Sequence, residues 1–453
     1  MPKKRGAKKK IHKPAEAPET SNPTPEEEKE KKKMIFPISN LPPGLLLDLL
    51  YRFYAKSLLQ LRCFSRFWLA LIDNPIFRQN HVINFNSPRN RQLICNSFHD
   101  KGRRKLVAFL SAQGSYIPVL DVDLHFSERP NYPRRINFKD FSKNMVLAGS
   151  INGIVCLVHS KEMCGRFVAL WNPTIRYWKP IALPQTRAWE GMSVGLGFDV
   201  VMNDFKIICI VPFLDTEGAG WSRVEIYSAN QNSWENVDEE RIVRFVPVHH
   251  RQNCKFIVQG VPYWVGKEAL AQTNLVLGRI DPSTGMYRTV LFPEHIRNEC
   301  TEVHAVNLKG SIAALIHSPG EHPNNMVDLY VLDEDTADWR MMYNIGPLEF
   351  KFRRPIQCLN TGEIVLETWA GFIDKAANAV HHFYDPRTNH VFYNKEIEVL
   401  NPCWSESYIH VESLVRLEGM VEIAKEHITR RNNPRMDNWN EYVSEELEAA
   451  LHR

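Results

Sequence analysis

At 453 residues the chain exceeds the ~250–300 at which a single hydrophobic core stops growing, so at least two folded units are expected. A hydrophobic content of 44% with 24% charged residues is ordinary globular composition and excludes a largely disordered or fibrous protein. Residues 1–33 hold 11 Lys/Arg and 6 Glu, so of the net +4 this tail carries +5 and the remaining 420 residues about −1, which excludes a domain-wide basic footprint for nucleic acid.

Residues 1–34 mix Lys, Glu, Pro, Ser and Thr with almost no large apolar side chain, so they cannot repay ordering entropy by burial and are expected to be a disordered, charged tail. The clusters Lys3, Lys4, Arg5 and Lys8, Lys9, Lys10 are similar to a nuclear-import signal, and a merely solvated tail has the same composition. From residue 35 to about 85 the chain turns leucine-rich. Pro42 and Pro43 suit a helix start, and Leu45, Leu46, Leu49 and Leu50 predict an amphipathic face with Asp48 opposite. Runs from Ser57 to Cys63 and from Phe67 to Ile72 add two more short helices, and Asp73, Asn74 and Pro75 are expected to stop the pattern. A unit this small cannot bury all its leucine and tryptophan alone, so part of that surface should meet a partner or the rest of the chain.

In this segment Leu41 and Pro42, the leucine-rich helix, Arg52, Lys56, Ser57 and Leu58, Cys63, Trp68 before Leu71 and Ile72, and Pro75 before Phe77 stand in an order that resembles the plant-type F-box. Two positions depart from that pattern: Gly44 stands where an acidic residue is usual, and Tyr54 where the turn proline is. The resemblance implies a surface for an Skp-type adaptor and, through it, cullin and RING subunits. Its residues here would be Leu41, Pro42, Leu45, Leu49, Leu58, Cys63, Trp68 and Leu71.

Residues 90–420 consist of short β-branched and aromatic runs punctuated by Asn, Asp, Gly and Pro. A strand, a polar turn and a second apolar or aromatic residue recur from Trp171 to Tyr177, Tyr227 to Trp234, Ile280 to Tyr287, Tyr330 to Trp339 and Tyr384 to Phe392, with starts 56, 53, 50 and 54 residues apart. That spacing fits one four-stranded propeller blade per step, close to the ~50-residue kelch period; Leu120 and Asp121, one step earlier, would begin a sixth. A β-sandwich of unrelated hairpins would share the strands without closing a ring. Glycines at 153, 260, 310 and 362 mark hairpin turns before buried strands. The same region resembles the plant F-box-associated domain through Asn152, Gly153, Cys156 and Leu157; Trp171, Asn172, Pro173, Thr174 and Arg176; Gly197, Phe198 and Asp199 with Asp204, Phe205, Lys206 and Ile207; Tyr227 and Ser228 with Ser233 and Trp234; and Gly260, Tyr263 and Trp264. Residues 421–453 read as a charged, helix-prone tail.

Catalytic chemistry is weakly signalled. Gly191, Ser193 and Gly195 match the spacing of a nucleophile elbow, but a strand follows where the elbow needs a helix. The pairs His249–His250 and His381–His382 point to opposite faces of a strand and lack further metal ligands. Gly195 with Gly197, and Gly218 with Gly220, lack the third glycine and βαβ setting of a dinucleotide site. The run Lys101 to Lys105 and the pair Arg353, Arg354 read as solvated surface. Nine singly placed cysteines without a CxxC pair favour a reducing compartment, and no apolar run approaches the ~18 residues of a membrane span.

The expected architecture is therefore α+β and multidomain: a small helical F-box followed by a mostly β domain, a kelch-like β-propeller of about six blades. The expected role is the non-catalytic substrate receptor of an Skp-cullin-F-box ubiquitin ligase, without cofactor or metal, without nucleic acid or membrane partner, in nucleus and/or cytoplasm. A propeller carbohydrate-binding module or oxidase is the alternative. Target contacts are expected from loop aromatics, Trp221, Trp369 and Phe372, because loops on a rigid scaffold carry binding function.

Overall fold

The computed structural model describes residues 41–98, 105–110, 116–120, 145–159, 167–183, 192–216, 220–235, 242–247, 253–268, 271–296, 302–317, 326–349, 352–359, 362–373, 376–399 and 407–422. The expected tails at 1–34 and beyond 422 lie outside these residues, as do His249 and His250.

Among its described residues the leucine-rich segment folds as four helices, α1 (Pro43–Tyr51), α2 (Ala55–Leu61), α3 (Arg66–Asp73) and α4 (Pro75–Phe85). The expected stop at Asp73 to Pro75 does end α3, and the fourth helix, which starts there, adds to the three expected. Asn74 Oδ1 accepts from the N–H groups of Ile76 and Phe77 at 2.8 and 3.3 Å, and Pro75 occupies the first turn, where its missing N–H costs nothing. The same dipeptide thus ends α3 and starts α4. Ser65 caps α3 through the Trp68 N–H. Leu46, Leu47, Leu50, Tyr51, Ala55, Leu58, Leu71, Ile72 and Phe77 form the core of this module.

Among the described residues the strands form six antiparallel sheets. Blade 1 holds β1 (Arg91–Phe98), β2 (Lys105–Leu110) and β3 (Tyr116–Leu120). Blade 2 holds β4 (Met145–Ile151), β5 (Ile154–His159), β6 (Phe167–Asn172) and β7 (Tyr177–Ala182). Blade 3 runs β8 (Ser193–Asp199), β9 (Asp204–Leu214), β10 (Gly220–Ser228) and β11 (Ser233–Trp234), with β12 (Ile242–Val243) also on β10. In blade 4 the inner position is shared by β13 (Phe245–Pro247) and β14 (Phe256–Val258), followed by β15 (Val261–Glu268), β16 (Ala271–Ile280) and β17 (Tyr287–Leu291). Blade 5 is β18 (Glu302–Leu308), β19 (Ser311–His317), β20 (Val327–Asp333) and β21 (Asp338–Ile345); blade 6 is β22 (Phe352–Cys358), β23 (Ile364–Ile373), β24 (Ala376–Asp385) and β25 (His390–Val399).

The ring is closed by β26 (Ser407–Val411), which pairs with β1 as the innermost strand of blade 1, so the first blade is completed by the end of the chain. The chain then crosses to blade 2, where β27 (Val421–Glu422), assigned to the tail by sequence, pairs with the outer strand β7. The five repeated hairpins of the sequence are the turns between third and fourth strands of blades 2 to 6. Leu120 is a correction: it ends the outer strand of blade 1 rather than opening its hairpin, because that blade borrows its first strand from the far end of the chain.

Each blade buries both faces. On β9, Ile208 and Ile210 face blade 4 with Phe245, Trp264 and Val276, while Ile207, Cys209 and Val211 face blade 2 with Cys156 and Leu170. Blades 4 and 5 meet through Phe256, Leu277, Ile312 and Ala314, blades 5 and 6 through Leu315, Leu329, Ile364 and Leu366, and blades 6 and 1 through Val365, Phe383 and Leu93. Polar links join the inner strands as well. Asn307 donates to the Ile257 carbonyl at 2.9 Å, Gln357 Oε1 accepts from the Asn307 N–H at 3.3 Å, and Ser150 Oγ meets His410 Nδ1 at 2.8 Å. Tyr408 donates across the ring to the Cys254 carbonyl at 2.5 Å.

The nucleophile-elbow match dissolves in this setting. Ser193 opens strand β8 and is fully buried, and Gly195 is small because Trp264 lies against it: a Cβ there would sit 2.5 Å from the indole. Replacing Trp264, 1% exposed, by Ala is expected to cost ~3–5 kcal/mol, and Gly195→Ala to destabilise in the same interface; denaturant unfolding measures both. Acid should also loosen the closure. Burial holds the His410 imidazole neutral, its pKa pushed down to about 3 from an ordinary 6.5. The unfolded chain takes up that proton below pH ~6.5 and the native chain does not, so this residue's contribution is level above ~6.5 and falls by ~1.4 kcal/mol per pH unit below it. His410→Gln should flatten that limb of a stability-versus-pH curve.

Candidate functional site

The helical module exposes an unusual amount of apolar surface. On α1, Leu46 and Leu50 turn inward while Leu45 and Leu49 turn out, 55% and 45% exposed and one helical turn apart. Leu41 before the helix and Phe53 after it are exposed as well and extend this apolar stripe at its two ends. Tyr54, Phe64, Leu69 and Ile83 are exposed as well. Sequence reasoning read Leu45, Leu46, Leu49 and Leu50 as a single amphipathic face; the helix divides them between its own core and an outward stripe.

The eight residues expected at the adaptor surface fall into two groups. Leu41, Pro42, Leu45, Leu49 and Cys63 are exposed, and Trp68 is half-buried against Phe67, ring centroids 5.0 Å apart. Leu58 and Leu71 are core residues, so they shape the surface from beneath and do not present it. Phe53, Tyr54, Phe64, Leu69 and Ile83, also exposed, were not among the eight. A two-faced leucine helix signals which positions are apolar, and only the fold says which of them the second helix layer covers.

Charge on the module is one-sided. Residues 43–85 carry Arg52, Lys56, Arg62, Arg66 and Arg78 against Asp48 and Asp73, and Asp73 is engaged by Arg62 at 2.8 Å and by Arg78. Arg52, Lys56 and Arg66 remain exposed, so the surface suits an apolar partner with acidic residues at its rim. His81 braces the corner beside the stripe: its Nε2 meets the Phe53 carbonyl at 2.9 Å, so that nitrogen carries the proton, and the ring lies between Phe77 and Phe85. Burial lowers its pKa, which keeps the imidazole neutral there.

The helices sit at one end of the propeller. Leu414 and Ile175 enter their core, and Val411 and Val415 meet Val82 and Phe85. Ile175 belongs to the turn between β6 and β7, and Val411 ends β26. In an antiparallel meander the turns after first and third strands share one end, so the β4–β5 turn at Asn152 and Gly153 and its equivalents lie on the helix side. Connections between second and third strands emerge at the opposite end. Trp221, Trp369 and Phe372, expected on loops, fall in the segments 214–221 and 369–375, which span connections of that kind in blades 3 and 6.

The aromatic anchors proposed on those loops are placed differently from expectation. Trp221 lies in strand β10 and is half-buried, its Nε1 donating to Asp215 at 2.7 Å and the Arg244 guanidinium 5.2 Å over its ring. Trp369 and Phe372 are strand residues of β23, paired with Ala379 and Ala377, because β23 and β24 extend the hairpin almost to its tip; their side chains lie outside the described residues. The run Lys101 to Arg104 also lies outside, in the β1–β2 connection. Of the paired histidines, His381 meets Glu367 at 3.3 Å and His382 meets Thr368 at 3.1 Å on opposite faces of β24. Among the described residues no group of three His, Cys, Asp or Glu side chains could hold a metal ion, and no helix is long and apolar enough to cross a membrane.

Comparison with known proteins agrees with this layout. The family described as F-box associated beta propeller domain matches residues 119–408. F-box protein At4g22390 of Arabidopsis thaliana is 24% identical over 75% of this chain and 83% of its own length. Putative F-box proteins At1g47790 and At5g15660 of the same plant are 25% and 21% identical over 41% and 72% of this chain, and 46% and 68% of theirs. With four helices ahead of a six-bladed ring and the family match spanning most of that ring, the chain belongs to the plant F-box proteins that carry a C-terminal F-box-associated β-propeller domain.

Proposed function

We propose that the chain is the substrate receptor of an Skp-cullin-F-box ubiquitin ligase: the helical module docks on an Skp-type adaptor, which links it to cullin and RING subunits, and the far end of the propeller holds a target protein. The observation that carries this reading is the outward stripe of Leu41, Leu45, Leu49 and Phe53, rimmed by Arg52 and Lys56, on a module whose own core is already filled. The mechanism is proximity. A lysine-bearing target held beside a ubiquitin thioester gains effective concentration, and the receptor supplies no acid, base or nucleophile of its own. Trp221, Trp369 and Phe372 lie in strands that lead to the far end and remain the proposed start of the target surface. The Lys3 to Arg5 and Lys8 to Lys10 clusters fit a receptor that works in the nucleus as well as the cytoplasm.

The stripe gives the test. Leu45→Ser with Leu49→Ser should abolish adaptor co-purification while moving the thermal midpoint little, because both side chains are exposed. Leu58→Ala and Leu71→Ala should lose the adaptor only together with ~2–5 kcal/mol of stability, since both are buried. Adaptor binding retained by the Leu45/Leu49 double variant would overturn the reading.

A gain is expected at Gly44. It lies in the first turn of α1, which has no acidic residue, and a Cβ there would meet nothing within 4 Å. Gly44→Glu should stabilise the helix by roughly 1 kcal/mol through helix propensity and the N-terminal dipole. Calorimetric unfolding and adaptor titration of the same variant read both consequences.

A further inference from the structure

All four helices are short: 9, 7, 8 and 11 residues in α1 to α4. Helices below ~12–15 residues are marginal in water and depend on tertiary packing. Here part of that packing comes from residues 411–415, the last residue of the closing strand and the four that follow it. Leu414, 1% exposed, is a member of the helical core itself, beside Leu46, Leu50 and Leu58. Val415 and Val411 cover Val82 and Phe85 on α4. At the start of α2 the residue in the cap position, Tyr54, offers no side-chain acceptor. An acceptor comes from the propeller: the Glu412 carboxylate lies against the backbone N–H groups of Ala55 and Lys56, which favour its charged form while burial raises its pKa, and its Oε2 is buried without a partner. The same segment is held on the blade side by Asn172, whose Nδ2 donates to the Ser413 and Val415 carbonyls at 3.1 and 2.8 Å. Gly153 lies so close beneath it that a Cβ would fall 2.0 Å from Ser413 Oγ.

We infer that Glu412 and Leu414 are positioning residues for adaptor docking: the closing segment of the propeller fixes α2 and the Phe53–Tyr54 corner against α1, so that the adaptor-binding stripe is in place only when the ring is closed. The inference rests on the adaptor reading above. Its functional content is a check on assembly. A receptor whose last strand has not paired presents an incomplete docking surface, so target-binding blades and ligase recruitment stand or fall together. By linkage, an adaptor bound to the stripe must in turn stabilise β26, which the stripe does not include.

The test uses the full-length protein, an Skp-type adaptor, and the variants Glu412→Ala, Glu412→Asp and Leu414→Ala. Without adaptor, amide exchange at 55–61 should quicken about tenfold in Glu412→Ala, the size of a lost helix cap, while blades 3 to 5 exchange as in the parent. Adaptor affinity should fall by a similar factor in Glu412→Ala, recover in part in Glu412→Asp, and fall further in Leu414→Ala. Adding adaptor to the parent protein should slow exchange at Ser407–Val411. Should Leu414→Ala fail to fold, the two Glu412 variants and the exchange of the parent protein still decide. Parent protein that binds the adaptor, with affinity unchanged in Glu412→Ala and no slowing at Ser407–Val411, would overturn this inference alone. Parent protein that does not bind the adaptor would overturn the function proposed above and this inference with it.

Discussion

Everything in this structure hangs on one pairing, the five-residue ladder between β26 and β1. A propeller has no lid and no central core; each blade is stable because it is packed on both sides, and one missing strand leaves two blades half-covered. Here, among the described strands, only the two-residue β27 follows that strand in the chain. Tyr408 and His410 on it reach Cys254 and Ser150, so the closing strand also fills the middle of the ring. The cost is topological. The contacts that complete blade 1 join residues more than three hundred positions apart, and no local hairpin assists them.

The closure also sets the geometry on which the proposed function depends. Effective concentration rises only if the tether between the two bound partners is stiff and of the right length. In this chain the tether is not a linker. α4 runs into β1 through residues 86–90, with Arg91 donating to Asn86 at 2.8 Å and Asn90 to the Phe85 carbonyl at 2.8 Å, while residues 411–415 pack on the helices from the other side. Two separate points of attachment suppress rotation of the module against the ring. The docking stripe and the far-end connections therefore keep a fixed relation.

The repeat was legible because blade packing imposes it. Trp171, Tyr227, Ile280, Tyr330 and Tyr384 are buried residues of the third strands, and the positive φ at Asn152 and Gly153, Gln259 and Gly260, and Lys309 and Gly310 leaves few residue choices in the first turns. The family landmarks also have plain structural reasons. Asp199 Oδ1 accepts from the Val201 and Met202 N–H groups and from the Ser283 hydroxyl of blade 4; Asp204 accepts from Ser228 and is paired with Lys206; Asn172 clasps the closing segment. What could not be read was any property decided by a partner strand or helix distant in sequence. Whether Leu45 or Leu46 faces out, whether Trp369 sits on a loop or in a long strand, and whether Asn74 and Pro75 end one helix or begin another are settled by packing and capping. The F-box surface was thus legible as composition and illegible as a face.

Tyr54 shows how a departure from a family pattern can be absorbed. Its φ of −57° and ψ of 140° are values a proline would take, so the corner between α1 and α2 keeps the backbone that the missing proline would impose. A proline would hold it by restricting the unfolded chain; tyrosine holds it by contact, its ring edge-on to Phe85 at 5.3 Å. The two devices differ in consequence. A proline corner is independent of the rest of the protein, whereas a tyrosine corner exists only while α4 is docked, and Phe85 on α4 is itself covered by Val411 and Val415 of the closing segment. With Glu412 supplying the cap of the helix that follows, the substitution moves control of this corner from the local sequence to the end of the chain. The F-box of this protein is therefore less autonomous than its short helical pattern implies, and its surface is built by the propeller it serves.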